Sequence, residues 1–185
     1  MSKFKIHDAK SSSILATLED QIGFIPNVFG VLGGNAKALE AFATLNTLFG
    51  NSSLSPIERE IVQVAASVVN SCEYCVAGHT AFAHFQDLNS SQITAIRTGE
   101  KLADRRLEAL RQFAQSLVST KGRDAQLELE EFLAAGYNRE QVFDVVLGVN
   151  VKMFSNHVAG LTEIQLDEPF APFQWSPEDT TLSAA

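Results

Sequence analysis

Two cysteines and a histidine stand close together in the stretch NSCEYCVAGHTAFAH, as Cys72, Cys75 and His79. Residues three and four apart share one face of an α-helix, so this spacing puts two thiols and an imidazole on one side within about two turns. A thiol pair so placed can close to a disulfide, which needs its Cα atoms about 4.4–6.8 Å apart. The thiolate is the form that attacks oxidants and binds metals. Asn70, with Glu73 three residues on, has the pattern of a capping box, which predicts a helix capped at Asn70 with Cys72 in its first turn. The unpaired N–H groups there and about half a positive charge of helix dipole favour a thiolate, so position alone marks Cys72 as the more acidic thiol. His79, one turn beyond Cys75, would supply a base to that sulfur directly or through one water.

Two other readings compete with a redox pair. Buried cysteines often act as small apolar residues, and Cys72, Cys75, His79 and His84 could ligate zinc. Structural zinc draws its ligands from more than one element, and His84 falls about 180° around the helix from Cys75, which marks it as a surface residue. In a reducing compartment a Cys-x-x-Cys pair is redox-active or metal-binding more often than structural.

The elements that must position this stretch all read as helices. Asn35 precedes Ala38, Leu39, Phe42, Leu45 and Phe49 at helical spacing, stopped by Gly50. Ser55-Pro56-Ile57-Glu58 combines a capping box with proline at the first helical position. Its apolar stripe is Ile57, Ile61, Val64, Ala65 and Val68, with Glu60 on the edge; taken alone, Glu60 reads, as Glu58 does, as a solvated carboxylate near a helix start. Asn89 starts a short helix closed by Gly99, Asp104 starts another, and Asp124 is expected to cap a third ending near Gly136. Asn138 with Gln141 repeats the capping box before Val142, Val145, Val146, Val149, Met153 and Phe154. No run alternates with period two, so the chain is expected to be all-α. A faint echo links Ser55–Gly78 to Asn138–Gly160; in the second copy Ser155, Asn156 and His157 stand near the place of the cysteines. His157 itself reads as structural.

With 185 residues and 45% hydrophobic content the chain can bury a core without disulfides. One helical domain over residues 1–166 is expected, then a tail over 167–185 with Pro169, Phe170, Pro172, Phe173, Trp175 and Pro177. So greasy a tail should pack along the domain or onto a neighbouring subunit. A net charge of -8 argues against nucleic acid and anionic membrane as partners. No apolar run approaches the ~20 residues of a membrane span, and MSKFKIHDAKSSS lacks the apolar segment of a signal peptide. A cytoplasmic location is expected.

Taken together, Glu60, Cys72, Cys75 and His79 form Glu-x11-Cys-x2-Cys-x3-His on two consecutive helices. With IPNVFG near the start, the Leu54-Ser55-Pro56 helix start and FLAAGYNREQVFDVVL, the chain resembles the AhpD-like alkylhydroperoxidase branch of the carboxymuconolactone decarboxylase superfamily over most of residues 20–170. The resemblance implies an all-α AhpD-like fold with a two-helix Cys-x-x-Cys core, assembled as a trimer or hexamer, with neither metal nor organic cofactor. It implies a peroxidase in which Cys75 attacks the hydroperoxide, Cys72 resolves the sulfenic acid as a disulfide, Glu60 and His79 relay protons, and an external dithiol restores the pair. That assignment reverses the order expected from helix position, because His79 is placed to deprotonate Cys75. Peroxidases of the family carry a histidine where this chain has Tyr74, so a shorter relay and a different preferred substrate are expected. The alternatives are a lactone decarboxylase of the same superfamily and a non-catalytic redox-sensing oligomer.

Overall fold

The structure, a computed structural model, describes residues 4–180; the first three residues of the expected domain and the last five of the expected tail lie outside it. Capping chemistry sets most of the helix starts. Ser12 caps α1 (Ser13–Ile22), which ends at Gly23 with φ 83°, a left-handed conformation that suits glycine. After Pro26 comes α2 (Asn27–Leu32), and Asn35 caps α3 (Ala36–Gly50) by accepting from the N–H groups of Lys37 and Ala38. The Ser55–Glu58 capping box opens α4 (Pro56–Val69), with Pro56 at the first position as expected. Beyond the cysteine helix, α5 (Glu73–Phe85), Asn89 caps α6 (Ser90–Thr98) and Asp104 caps α7 (Arg105–Thr120). Helix α8 (Gln126–Ala134) starts one residue later than expected, with Ala125 and not Asp124 at the cap. The Asn138–Gln141 capping box opens α9 (Arg139–Thr162). Among the described residues the fold is all-helical.

Helix α4 is the axis of the molecule. It touches α5, α6, α7 and α9, and Ile61 through Val68 are buried without a break. A helix with neighbours on all sides shows burial all round, which is why the single stripe expected from periodicity understates it. Glu58 also departs from expectation. It is buried, accepts from the Tyr137 hydroxyl at 2.8 Å, and lies 3.3 Å from Arg106. A carboxylate this deep is tolerable because every oxygen has a partner.

Helix α9 lies across α3, α4, α5 and α7. Its approach requires a residue without a side chain. A Cβ on Gly148 would sit 2.4 Å from the Phe49 ring and 3.0 Å from Val62. The segment after α9 folds back over α5 as a short 3-10 helix, Glu168–Phe173. Phe170 is buried against Gly78, and Trp175 donates its indole N–H to the Arg97 carbonyl at 2.9 Å.

Candidate active site

The corner between α4 and α5 differs from the capping box expected at Asn70. Asn70 ends α4, Ser71 turns the chain with φ 51°, and Cys72 is the N-cap of α5. The Cys72 N–H donates to the Ser67 carbonyl, and the Cys72 carbonyl accepts from Val76, both at 3.0 Å. The Asn70 amide is drawn instead to α9, where it donates to Asn156 Oδ1 at 2.8 Å. This shift puts Cys75, not Cys72, inside the first turn, where the helix dipole favours a thiolate.

Cys75 is 3% exposed, with Sγ 3.9 Å from the Ser155 hydroxyl. Burial pushes its thiol up, but a hydrogen bond from Cys72, the charge of Lys152 and the Asn156 and Ser155 side chains outweigh it and bring the pKa down to about 6. The same hydrogen bond to Cys75, with burial, pushes the Cys72 thiol up. The pair is therefore asymmetric, with a thiolate favoured on Cys75 and disfavoured on Cys72.

Glu60 and His79, expected from the resemblance to relay protons, lie in contact with each other, and His79 with a third residue. Glu60 on α4 and His79 on α5 meet at 2.8 Å between Oε2 and Nδ1, and Lys152 on α9 lies 2.5 Å from Nε2. A lysine ammonium has only donors, so Nε2 accepts from Lys152 and Nδ1 carries the hydrogen given to Glu60. Burial and the Lys152 charge hold His79 below the usual histidine range, and the ring is neutral. Both ring nitrogens are thus engaged, and His79 addresses Lys152 where the spacing suggested Cys75. The cation that favours the Cys75 thiolate is Lys152.

Spacing alone did not mark Lys152, yet a signal for it exists. Val145, Val149, Lys152, Asn156 and Ala159 follow one helical stripe, and all five are buried. The stripe expected from the sequence drifted to Met153 and Phe154, whose apolar side chains looked the better core. A lone lysine at 4% exposure within an apolar stripe indicates a function or a partner. Ser155 and Asn156, flagged by the internal echo, do reach the cysteines, whereas His157 and His84 are exposed. Tyr74, which stands where the resemblance places a histidine, is held by other partners. Its hydroxyl donates to Asp167 at 2.6 Å and accepts from the Val28 N–H at 3.3 Å, tying α5 to α2 and to the segment after α9. Among the described residues no group of three His, Cys, Asp or Glu side chains is arranged to hold a metal ion.

A cavity of about 850 Å³ opens on Cys72, walled by Tyr74 and Ala77 of α5, Ala159 of α9, and Trp175. Cys75 lies behind Cys72 and does not line it.

Residues 34–116 match the carboxymuconolactone decarboxylase family. No curated protein matches the chain. An uncharacterized peroxidase-related protein from Silicibacter sp. TM1040 is similar in structure, with a TM-score of 0.78 at 22% identity over 92% of this chain and 97% of that one. The alkylhydroperoxidase AhpD core of a peroxidase-related protein from Ralstonia eutropha JMP134 gives 0.79 at 22% identity, covering 91% and 94%. The debrominase Bmp8 gives 0.76 at 17% identity over 89% of each chain, and a cysteine-to-alanine variant of it holds 2,3,4-tribromopyrrole. The shared feature is the all-α AhpD-like fold.

Proposed function

From the match of residues 34–116 to the carboxymuconolactone decarboxylase family and the AhpD-like fold, we propose that the chain is a thiol-dependent peroxidase of the AhpD-like branch with Cys75 as its nucleophile. Family and fold support a peroxidase-related or decarboxylase-like enzyme in general. The observation that carries the narrower reading is the uneven setting of the pair: Cys75 is buried in the first turn of α5 beside Ser155, where the Cys72 hydrogen bond and the Lys152 charge favour its thiolate, while Cys72 faces the cavity. A lactone decarboxylation has no use for that arrangement.

The Cys75 thiolate attacks the distal oxygen of the hydroperoxide, the O–O bond breaks, and sulfur is oxidised to the sulfenic acid as the alkoxide leaves. In this reading Lys152 gives the alkoxide its proton, supported by its contact with His79, which Glu60 holds in turn. Cys72 then attacks the sulfenic sulfur, water leaves, and the Cys72–Cys75 disulfide forms. An external thiol reductant returns it to the dithiol.

The test is thiol titration with mass spectrometry before and after one equivalent of cumene hydroperoxide, on the wild type and Cys75→Ser. Loss of both thiols to one intramolecular disulfide, absent in the variant, is expected. Thiols that stay unreacted in folded protein would overturn the reading. The debrominase likeness supports a second reading, since a dithiol can also give two electrons to a carbon–bromine bond, yielding the C–H product, a disulfide and bromide. Bromide release from tribromopyrrole by the reduced protein, without peroxide turnover, would favour it.

A further inference from the structure

The cavity over Cys72 has an arrangement that the attack on a peroxide does not use. Of the two sulfurs, the one facing it is Cys72, while Cys75 sits behind, next to Ser155. Thiol–disulfide exchange needs an incoming sulfur in line with the bond that breaks, and it runs fastest toward the sulfur whose partner is the better leaving group. Access and leaving-group stability therefore agree: attack falls on Cys72, and Cys75 departs.

The rim adds selectivity. Glu73, Glu163 and Asp179 line it and are exposed, whereas no lysine, arginine or histidine is among the lining residues. Like charges around a cavity mouth lower the local concentration of anions and raise that of cations, an effect that salt screens. The volume of about 850 Å³ is ample for a small organic thiol or for a chain reaching in from a larger carrier.

We propose that this cavity is the binding site of the external reductant, that it takes uncharged or cationic thiols in preference to anionic ones, and that the reductant attacks Cys72 Sγ. This rests on the disulfide cycle of the proposed function, though not on its oxidant. The reductant thiolate bonds to Cys72, the Cys72–Cys75 bond breaks, and the electron pair leaves on Cys75. A second reductant thiolate then attacks the reductant's own sulfur in the mixed disulfide. Cys72 departs as a thiolate and takes a proton, the pair is reduced, and the reductant is released as its disulfide.

The experiment starts from full-length protein oxidised to the disulfide with diamide, so that no peroxide chemistry is involved. Its reduction is followed with 2-mercaptoethanol (uncharged), cysteamine (cationic) and 2-mercaptoethanesulfonate (anionic), with rates expressed per thiolate present. The uncharged and cationic thiols should react about fivefold faster than the sulfonate at low salt, and the gap should shrink at about 0.5 M salt. Neutralising the rim with Glu73→Gln, Glu163→Gln and Asp179→Asn, all at exposed positions, should speed the sulfonate alone. Acid-quenched peptides should carry the cysteamine adduct on Cys72. An adduct on Cys75, or equal rates that neither salt nor the rim variant changes, would overturn the proposal. A protein inert to peroxide but reduced in this pattern would sink the peroxidase reading and leave this one standing.

Discussion

Helices α5 and α9 divide the candidate site between them. The groups proposed to exchange bonds, the two sulfurs, come from α5 and its N-cap, and His79 comes from α5 too; the lysine, hydroxyl and amide around Cys75 come from α9. Without α9, Cys75 would keep the hydrogen bond from Cys72 but lose the Lys152 charge and the Asn156 and Ser155 side chains that help to offset its burial. The difference teaches that the residues carrying out a reaction and the residues that make it possible near neutral pH can sit on separate elements. Here they are 80 residues apart in the chain, from Cys75 to Ser155.

Removing the cation should break this division of labour most completely. Lys152→Met keeps the length of the side chain in an apolar setting but leaves the Cys75 charge without its counter-ion. The reactive form is the thiolate, so alkylation by iodoacetamide in the wild type should rise with pH through about 6 and level off above it. In the variant the midpoint should move to about 8.5 or higher, the ordinary cysteine range, and the rate at pH 7 should fall by about tenfold or more. An unmoved midpoint would show that α5 suffices by itself. Glu60→Gln should act in the same direction and more weakly, by about fivefold on peroxide turnover. It replaces a charge-assisted hydrogen bond to His79 with a neutral one of roughly half the strength. A loss as large as that of Lys152→Met would shift the emphasis back to His79.

Gly148→Ala tests the seat of α9 instead of its chemistry. The added Cβ meets Phe49 and Val62, and overpacking of this kind costs about 1–3 kcal/mol. The melting temperature should drop by several degrees and Cys75 alkylation should slow by about twofold, as Lys152 moves with its helix. Tyr74→Phe should be the mildest for reactivity. It removes the hydroxyl held by Asp167 and costs about 1 kcal/mol of stability, while the alkylation midpoint of Cys75 stays in place. A shifted midpoint would mean that Tyr74 belongs to the relay after all.

The helices were legible because their signals are local. A capping serine or asparagine announces itself within four residues, and the starts at Ser55, Asn89, Asp104 and Asn138 stand where those residues put them. Glu60 and His79, brought together only by the resemblance, do meet. The sequence misled where a tertiary partner competed for a local signal. Asn70 has the form of an N-cap, but its amide pairs with Asn156 and the cap falls to Cys72. Glu58 has the form of a solvated first-turn acid, but Tyr137 and Arg106 draw it inward. Lys152 could be seen only from the register of the whole of α9.

The distance along the chain between the sulfurs and their counter-charge has a consequence during synthesis. Chains emerge N-terminal end first, so α4 and α5 leave the ribosome well before α9. Until α9 docks, the thiols lack Lys152 and keep the sluggish nucleophilicity of ordinary cysteines. On the proposed reading, the setting that favours the Cys75 thiolate is completed only when α9 docks.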